Sequence, residues 1–420
     1  MNRQQRQLPW REPKVSPGRL WDSLEQMAAI GATDSGGVRR LALTDEDKRG
    51  RDLFVSWCHA AGCDVKVDRM GNIFARREGT DSGAPVVMTG SHLDSQPTGG
   101  RFDGVYGVLA GLEVIRALND AGYATRAPLE IAVWTNEEGT RFPPAMIASG
   151  VFAGVFDLEY GLSRRDRAER TLGEELQRIG YAGSLEVGGR QIRAYIEAHI
   201  EQGPILEAEG KTIGIVTGAQ AQRWYEITLS GQEAHAGPTP MQYRRDALVG
   251  AARVVEQVNR IGHSHLPGAC ATVGALDVHP NSRNTIPGRV FLTVDLRHPE
   301  EDTLSGMDSE LRSCVKEIAE SIGLAVSIEQ IWHSPAIRFD QACMRVISCA
   351  AARLGFQSMA LVSGAGHDAC NLSRVAPTGM IFIPCEKGIS HNEAESASLE
   401  DAEAGAQVLL TSMLELAGLG

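Results

Sequence analysis

The stretch from Pro85 to Leu118 commits this chain to one local architecture: a buried strand, a glycine-rich loop and a helix. The run Val86 to Thr89 is short, apolar and β-branched, which predicts a buried strand ended by Gly90 and Ser91. Beyond the loop SHLDSQPTGGRFD, apolar residues in GVYGVLAGLEVIRAL recur at three-to-four spacing and predict a helix with Asp103 as its N-cap. Strand, loop and helix in this order belong to an α/β sheet, where ligands gather at the carboxyl ends of the strands. His92 falls just past the strand and Asp103 at the helix start, so an imidazole and a carboxylate flank the loop. Such a pair taken alone is more often a satisfied turn than half a metal site. Recurrence downstream decides between the two.

The pattern does recur. Leu129 to Asn136 reads as a second buried strand, and it ends in Glu137-Glu138. Adjacent side chains leaving a strand point in different directions, so one carboxylate can bind a cation while its neighbour stays free as a base. Ala194 to Ile200, AYIEAHI, supplies His199, and the segment CEKGISHNEAE after the strand GMIFIP supplies His391. His92, Asp103, Glu138, His199 and His391 therefore all fall at predicted strand ends or loops. They suffice for two divalent ions sharing one carboxylate, and Asp103, short and fixed, is the natural bridge. A water between two cations is acidified, leaving Glu137 to take its proton and pass it to a leaving nitrogen. Asp94 is placed to accept a hydrogen bond from the second ring nitrogen of His92. Nitrogen and oxygen donors admit Zn²⁺, Mn²⁺, Co²⁺ or Ni²⁺.

At 420 residues the chain exceeds what one core usually organises. Helical patterns dominate residues 17–62, with Thr44 as a cap, and Cys63 to Arg76 reads as two strands around a Met70-Gly71-Asn72 turn. From Gly214 the strands GIVTGA, RWYEITLS, ATVGALDV and GRVFLTVDLR come in pairs, each pair trailed by a helix, which describes a compact α+β unit. After about Trp332 the α/β texture returns, with a helix over Asp340–Leu354, a glycine-rich loop at Ser363–Asp368 and the strand GMIFIP. The expected organisation is a discontinuous α/β domain, residues 1–213 and 333–420, interrupted by an inserted α+β domain at 214–332. Residues 1–16 are expected to form a surface arm or disorder, and residues 157–193 a charged, helical, solvated face. A net charge of −12 argues against nucleic acid and anionic membranes as partners. No apolar run spans a bilayer, the N-terminus lacks the apolar core of a signal peptide, and the eight cysteines form no CxxC pair. The expectation is a cytoplasmic protein.

GSHLDSQPTGGRFDG, TNEEGTRF, EAHIEQGP, GQEAHAGPTPMQYRRDA, NSRNTIPG, VDLR, SGAGHDA and SHNEAE together resemble the motif series of the amidase, hydantoinase/carbamoylase branch of the M20 metallopeptidase superfamily. The resemblance runs from about residue 18 onward. It implies a two-metal catalytic domain of the M20 type, with one ion on His92, Asp103 and His199, the other on Asp103, Glu138 and His391, and Glu137 as base. It further implies that the inserted domain is a lid through which the protein forms a homodimer, and that His235 reaches the partner's site to stabilise an oxyanion. Arg297 matches the family's grip on the substrate carboxylate, Asn284 and Gln202 match polar substrate contacts, and the backbone around Gly366 matches the pocket lining.

The activity so implied is hydrolysis of the carbamoyl C–N bond of an N-carbamoyl amino acid, of the L-α or β-alanine (β-ureidopropionase) type, to amino acid, CO₂ and NH₃. Allantoate amidohydrolase is the nearest rival, carried by the same positions. An aminoacylase or dipeptidase is more distant, since His199 marks the branch, and a non-catalytic binder of amino-acid derivatives would not need the Glu137-Glu138 pair.

Overall fold

The computed structural model describes residues 13–420, so most of the expected arm at residues 1–16 lies outside the described residues. Its last part is tied down: the N–H of Val15 donates to Gln407 Oε1 at 3.0 Å and that of Ser16 to Glu113 Oε1 at 2.7 Å. The chain forms two compact units, one ending at Thr217 and resuming at Phe339, the other spanning Gly218–Arg338.

The first stretch contains α1 (Pro17–Ala28), α2 (Asp45–Ala60), β1 (Asp64–Val67), β2 (Ile73–Arg77), β3 (Val86–His92), α3 (Val105–Asp120), β4 (Leu129–Trp134), α4 (Ile147–Phe152), α5 (Leu158–Leu162), α6 (Leu172–Ile179), β5 (Ile192–Ile200), α7 (Ile205–Ala208) and β6 (Ile213–Ala219). The inserted unit follows with β7 (Ala221–Ser230), β8 (Ala234–His235), α8 (Ala247–Ser264), β9 (Cys270–His279), β10 (Thr285–Ile286), β11 (Arg289–His298), α9 (Glu301–Ser321), β12 (Ala325–Ser334) and β13 (Ile337–Arg338). The last stretch adds α10 (Gln341–Arg353), β14 (Ser358–Ser363), α11 (Asp368–Leu372), β15 (Thr378–Ile383) and α12 (Leu399–Ala417).

In the larger unit the strands lie in the order β1-β2-β4-β3-β5-β15-β6, with β14 also on β6. The central strands β4, β3, β5 and β15 are parallel. All residues of β3, β4 and β15 are buried, as parallel strands covered on both faces must be. Helix α3 is buried from Val105 to Ile115 and packs on β3, α1 and α12. Its interior glycines cost about 1 kcal/mol each relative to alanine. Gly107 explains why one is kept: a Cβ there would lie 2.2 Å from the Ala198 carbonyl oxygen. Close approach of helix to sheet thus outweighs helix propensity, and it brings the start of α3 onto the ends of β3 and β5.

Three local expectations are corrected. Strand β3 does not stop at Gly90 and Ser91, because both stay in register with Ala132 and Val133 of β4, and His92 is its last residue. Asp103 is not the N-cap of α3; that position belongs to Gly104 at φ 67, where a Cβ would lie 2.4 Å from the His92 ring. Residues 157–193 are mostly loop, with only α5 and α6 helical, because hydrogen bonds of Arg141 and Arg178 to Asp166 and Glu175 organise the charged segment instead.

The inserted unit is an antiparallel sheet in the order β12-β7-β11-β9. Tyr225, Ile227, Leu229, Leu292 and Val294 of the sheet pack with Val254 and Val258 of α8 and Leu311 and Val315 of α9. Where the chain enters and leaves this unit, Gly218 and Ala219 pair antiparallel with Arg338 and Ile337. The unit boundaries lie a few residues beyond 213/214 and 332/333, because β6 first pairs with β15 through Gly214 to Val216.

Candidate metal centre

Every element that delivers a candidate ligand does so at the carboxyl edge of the parallel strands. His92 ends β3, His199 is the penultimate residue of β5, Glu137 and Glu138 follow β4, and His391 lies in the loop after β15. Asp103, released from capping, sits between them. Its Oδ1 is 3.2 Å from His199 Nε2 and 3.7 Å from His92 Nε2. Its Oδ2 is 3.3 Å from His391 Nε2, which in turn lies 3.4 Å from Glu138 Oε2. The side chains thus form two groups, His92, Asp103 and His199, and Asp103, Glu138 and His391, each close enough to hold one ion.

The surrounding bonds fix these orientations. His92 Nδ1 faces the Asp94 backbone carbonyl at 2.9 Å, and His199 Nδ1 faces that of Ile200 at 2.9 Å, so each Nε2 is turned toward the centre, where the Gly104 N–H also lies 3.2 Å from that of His199. Asp94 therefore serves His92 through its carbonyl rather than through the carboxylate expected from the sequence, whose Oδ1 is 4.0 Å away. That carboxylate accepts the backbone N–H groups of Glu137 and Glu138, both at 3.2 Å, and so aims the acidic pair. Gln96 Nε2 donates to Glu138 Oε2 at 2.6 Å, and Gln202 Nε2 to Asp103 Oδ2 at 3.0 Å. Gln202 and His391 hold left-handed backbone, at φ 57 and φ 53, a conformation costly for non-glycine residues and concentrated at functional sites.

Electrostatics tests whether the site suits cations. Burial, then the charges of Asp368 and Glu138, hold the Glu137 carboxyl well above the usual range, and burial with Asp103 does the same to Glu138. Burial pushes His92 down to about 4. Burial also opposes protonation of His199, but its hydrogen bond and charge interaction with Asp103 prevail and raise it to about 9. Hydrogen bonding to Asp103 likewise raises His391. Divalent cations would neutralise the crowded carboxylates and hold the imidazoles unprotonated, so the donor set fits them.

Glu137 Oε2 lies 3.5 Å from His92 Nε2, beside the first group and outside both. That position suits a base acting next to a metal site. In the same unit, Gly366 precedes α11, and a Cβ there would lie 2.8 Å from Met146 Cε. In the inserted unit, His235 of β8 pairs with Thr285 of β10, and the Ala236 N–H donates to the Asn284 carbonyl at 2.8 Å, so His235 and Asn284 lie side by side. Arg297, near the end of β11, is 28% exposed and donates to Asp295 Oδ2 at 2.7 Å.

Several residues around the centre were not anticipated. Glu197 accepts the Ser91 hydroxyl at 2.7 Å and the Ala369 N–H at 2.9 Å. It lies two residues before His199 on β5, so strand alternation places both on one face. His367 packs edge-on against His199 and contacts Ser363 Oγ at 2.9 Å; a histidine just after a strand was the available signal, as for His92. Glu197, His199 and His367 form a third possible ligand group, in which Glu197 and His367 already have these protein partners. Gln96 and Glu395 lie within the motifs GSHLDSQPTGGRFDG and SHNEAE, but no local pattern singles out either as part of the site.

Residues 88–415 match the profile of peptidase family M20/M25/M40. The chain is 51% identical over 409 residues to the N-carbamoyl-L-amino-acid amidohydrolase of Rhizobium meliloti, covering 97% of this chain and 98% of that protein. It is 37% identical to the N-carbamoyl-L-amino acid amidohydrolase of Geobacillus stearothermophilus, over 95% of this chain and 98% of that one. A crystal structure of an amidase of the hydantoinase/carbamoylase family from Burkholderia multivorans superposes with a TM-score of 0.93 at 64% identity, covering 96% of this chain and 98% of that chain.

Proposed function

The chain belongs to peptidase family M20/M25/M40 and to its hydantoinase/carbamoylase branch, and from that premise we propose that it is a metal-dependent N-carbamoyl-amino-acid amidohydrolase. It cleaves the carbamoyl C–N bond and releases amino acid, CO₂ and NH₃. The observation that carries this reading is the division of the Asp103 oxygens, Oδ1 toward His92 and His199 and Oδ2 toward His391 beside Glu138. A bridging carboxylate with a distinct ligand group on each side is what a pair of divalent ions requires.

Zn²⁺ or Mn²⁺ are the ions proposed, with Co²⁺ or Ni²⁺ compatible with the same nitrogen and oxygen donors. When bound, they supply Lewis-acid polarisation of a poorly electrophilic urea-like carbonyl and acidify the attacking water. The protein's own groups do the rest. Glu137 takes a proton from that water on a carboxylate oxygen and returns it to the leaving nitrogen. Arg297 holds the substrate carboxylate, Gln202, Asn284 and the Gly366 backbone orient the remainder, and His235, reaching into the site of the other subunit of the homodimer, donates to the developing oxyanion. The inserted unit is proposed as the lid and homodimer surface; the exposed edge strand β9 supports this, since an unpaired edge is a template for a second chain. Among the described residues no helix is long and apolar enough to cross a membrane.

The test is ammonia release by Mn²⁺- or Zn²⁺-loaded protein from N-carbamoyl-L-amino acids, N-carbamoyl-β-alanine, allantoate and an N-acetyl amino acid, the last followed by amine release. Turnover of a carbamoyl compound that chelator abolishes is expected. Turnover of allantoate alone would move the assignment to allantoate amidohydrolase, and amine release from the acetyl compound alone would overturn the carbamoyl reading.

A further inference from the structure

We infer that Glu395 is a positioning residue of the metal centre, its carboxylate locking the backbone of Asp103 and the loop of His391 into the arrangement that lets Asp103 serve both ligand groups. The inference rests on the two-cation reading above. Glu395 is 2% exposed and is not a member of either group. Its Oε1 accepts two consecutive backbone N–H groups, those of Phe102 at 2.9 Å and Asp103 at 3.0 Å. Its Oε2 accepts the Ser390 hydroxyl at 2.8 Å, and that same oxygen of Ser390 lies 3.3 Å from Asp103 Oδ2. One side chain therefore clamps the main chain of the bridging ligand and, through Ser390, the residue next to His391.

The clamp is built at some cost. Burying a carboxylate is penalised, and an apolar residue would avoid that penalty. An apolar residue would also leave the Phe102 and Asp103 N–H groups buried without an acceptor, which costs about 1–3 kcal/mol per group. The facing loop makes room for the carboxylate and nothing more: a Cβ on Gly100 would stand 2.0 Å from Glu395 Cδ. Gln202 Nε2, donating to Asp103 Oδ2 at 3.0 Å and lying 3.4 Å from Ser390 Oγ, completes a ring of bonds around the bridge. A hydrogen-bonded ligand loses affinity for its metal when such a partner is removed, typically by about 10–100-fold.

Calorimetric titration of the full-length, chelator-stripped protein with Mn²⁺ tests the clamp without using substrate. The wild type is expected to bind two ions. Glu395→Ala removes the acceptor of both N–H groups and that of Ser390, and both ions should bind about 10–100-fold more weakly because Asp103 belongs to both groups. Ser390→Ala removes only the link to the His391 loop, leaves the backbone clamp in place, and should weaken binding by about tenfold or less. Urea unfolding of each stripped variant separates this from simple destabilisation, and lowered stability with unaltered Mn²⁺ affinities overturns the inference. So does a loss confined to one ion. Failure of the wild type to take up Mn²⁺ would instead remove the two-cation reading, and the clamp with it.

Discussion

Asp94 and Glu137 are joined by a hydrogen bond from the Glu137 backbone N–H to Asp94 Oδ1, 3.2 Å long, with Asp94 Oδ2 accepting the Glu138 N–H in parallel. Both carboxylate oxygens are thus committed to N–H donors. Burial, followed by the charge of Asp47, pushes Asp94 up to about 7. In Asp94→Asn one oxygen becomes an NH₂ group that confronts a backbone N–H. The expected outcome is a drop in kcat/KM of about 10–100-fold with the fold retained, measured by steady-state kinetics alongside circular dichroism. Wild-type kinetics in this variant would show that the acidic pair needs no such aim.

Glu137→Gln should retain its metal and lose turnover. Glu137 lies outside both ligand groups, so its amide need not disturb them, while an amide cannot accept and return a proton. A loss in kcat of about 10²–10⁴-fold is expected, with the metal content of the purified variant unchanged by elemental analysis. Loss of metal together with activity would recast Glu137 as a ligand.

Arg297→Ala should raise KM for substrates bearing a free carboxylate and do little for the same compounds as carboxamides. A hydrogen bond to a charged group contributes about 1.5–3 kcal/mol, so roughly a tenfold to hundredfold effect is expected. Asp295, which accepts from Arg297, keeps the guanidinium oriented, and Arg297→Lys should rescue poorly because lysine lacks the planar fork. Equal KM changes for both substrate forms would remove the carboxylate-binding role.

The loop that follows the acidic pair gives a pH prediction. Arg141 donates to Glu175 Oε2 at 2.8 Å and to the Ala42 carbonyl at 2.9 Å, and Arg178 donates to the same Glu175 oxygen at 2.9 Å. Burial acts to raise the Glu175 carboxyl, but the two guanidinium hydrogen bonds prevail and hold it below its ordinary value. The folded state then binds this proton more weakly than the unfolded chain. The stabilisation is present above the ordinary glutamate pKa and is lost as pH falls through the depressed one. Glu175→Gln should cost about 1–3 kcal/mol near pH 7, with the gap to wild type in urea unfolding closing as pH falls below the ordinary glutamate value and through the depressed one. A gap that widened on acidification would reverse the sign and discard the argument.

The fold class and the principal candidate ligands were legible because they depend on features one sequence records: apolar runs of strand length, and histidines or carboxylates just beyond them. The lattice of support was not. The sequence casts Asp103 as a cap because the helical pattern begins directly after it, whereas Gly104 adopts φ 67 and absorbs the turn. The two-residue spacing suggests Asp94 as a partner for the His92 imidazole, yet its carboxylate is drawn to two N–H groups more than forty positions away. Glu395 bonds to backbone almost three hundred positions earlier, a pairing that no local pattern encodes. Residues 157–193 misled for a different reason: charge density that suits an exposed helix also suits a loop stapled by arginines.

The interruption of the larger unit also sets an order of events during synthesis. All of Gly218–Arg338 leaves the ribosome as one contiguous piece and can close its own core, whereas β5 must wait for β15 and His391 until the last part of the chain is made. Until then the edge of β5 that β15 will cover is an unpaired apolar strand, buried from Ala194 to Ile200 in the finished protein, and such an edge is open to aggregation. A nascent chain halted before Thr378 would therefore carry a complete insertion, half a sheet and an incomplete ligand set. Because His391 lies beyond β15, the second ligand group cannot be complete until translation has run past that strand.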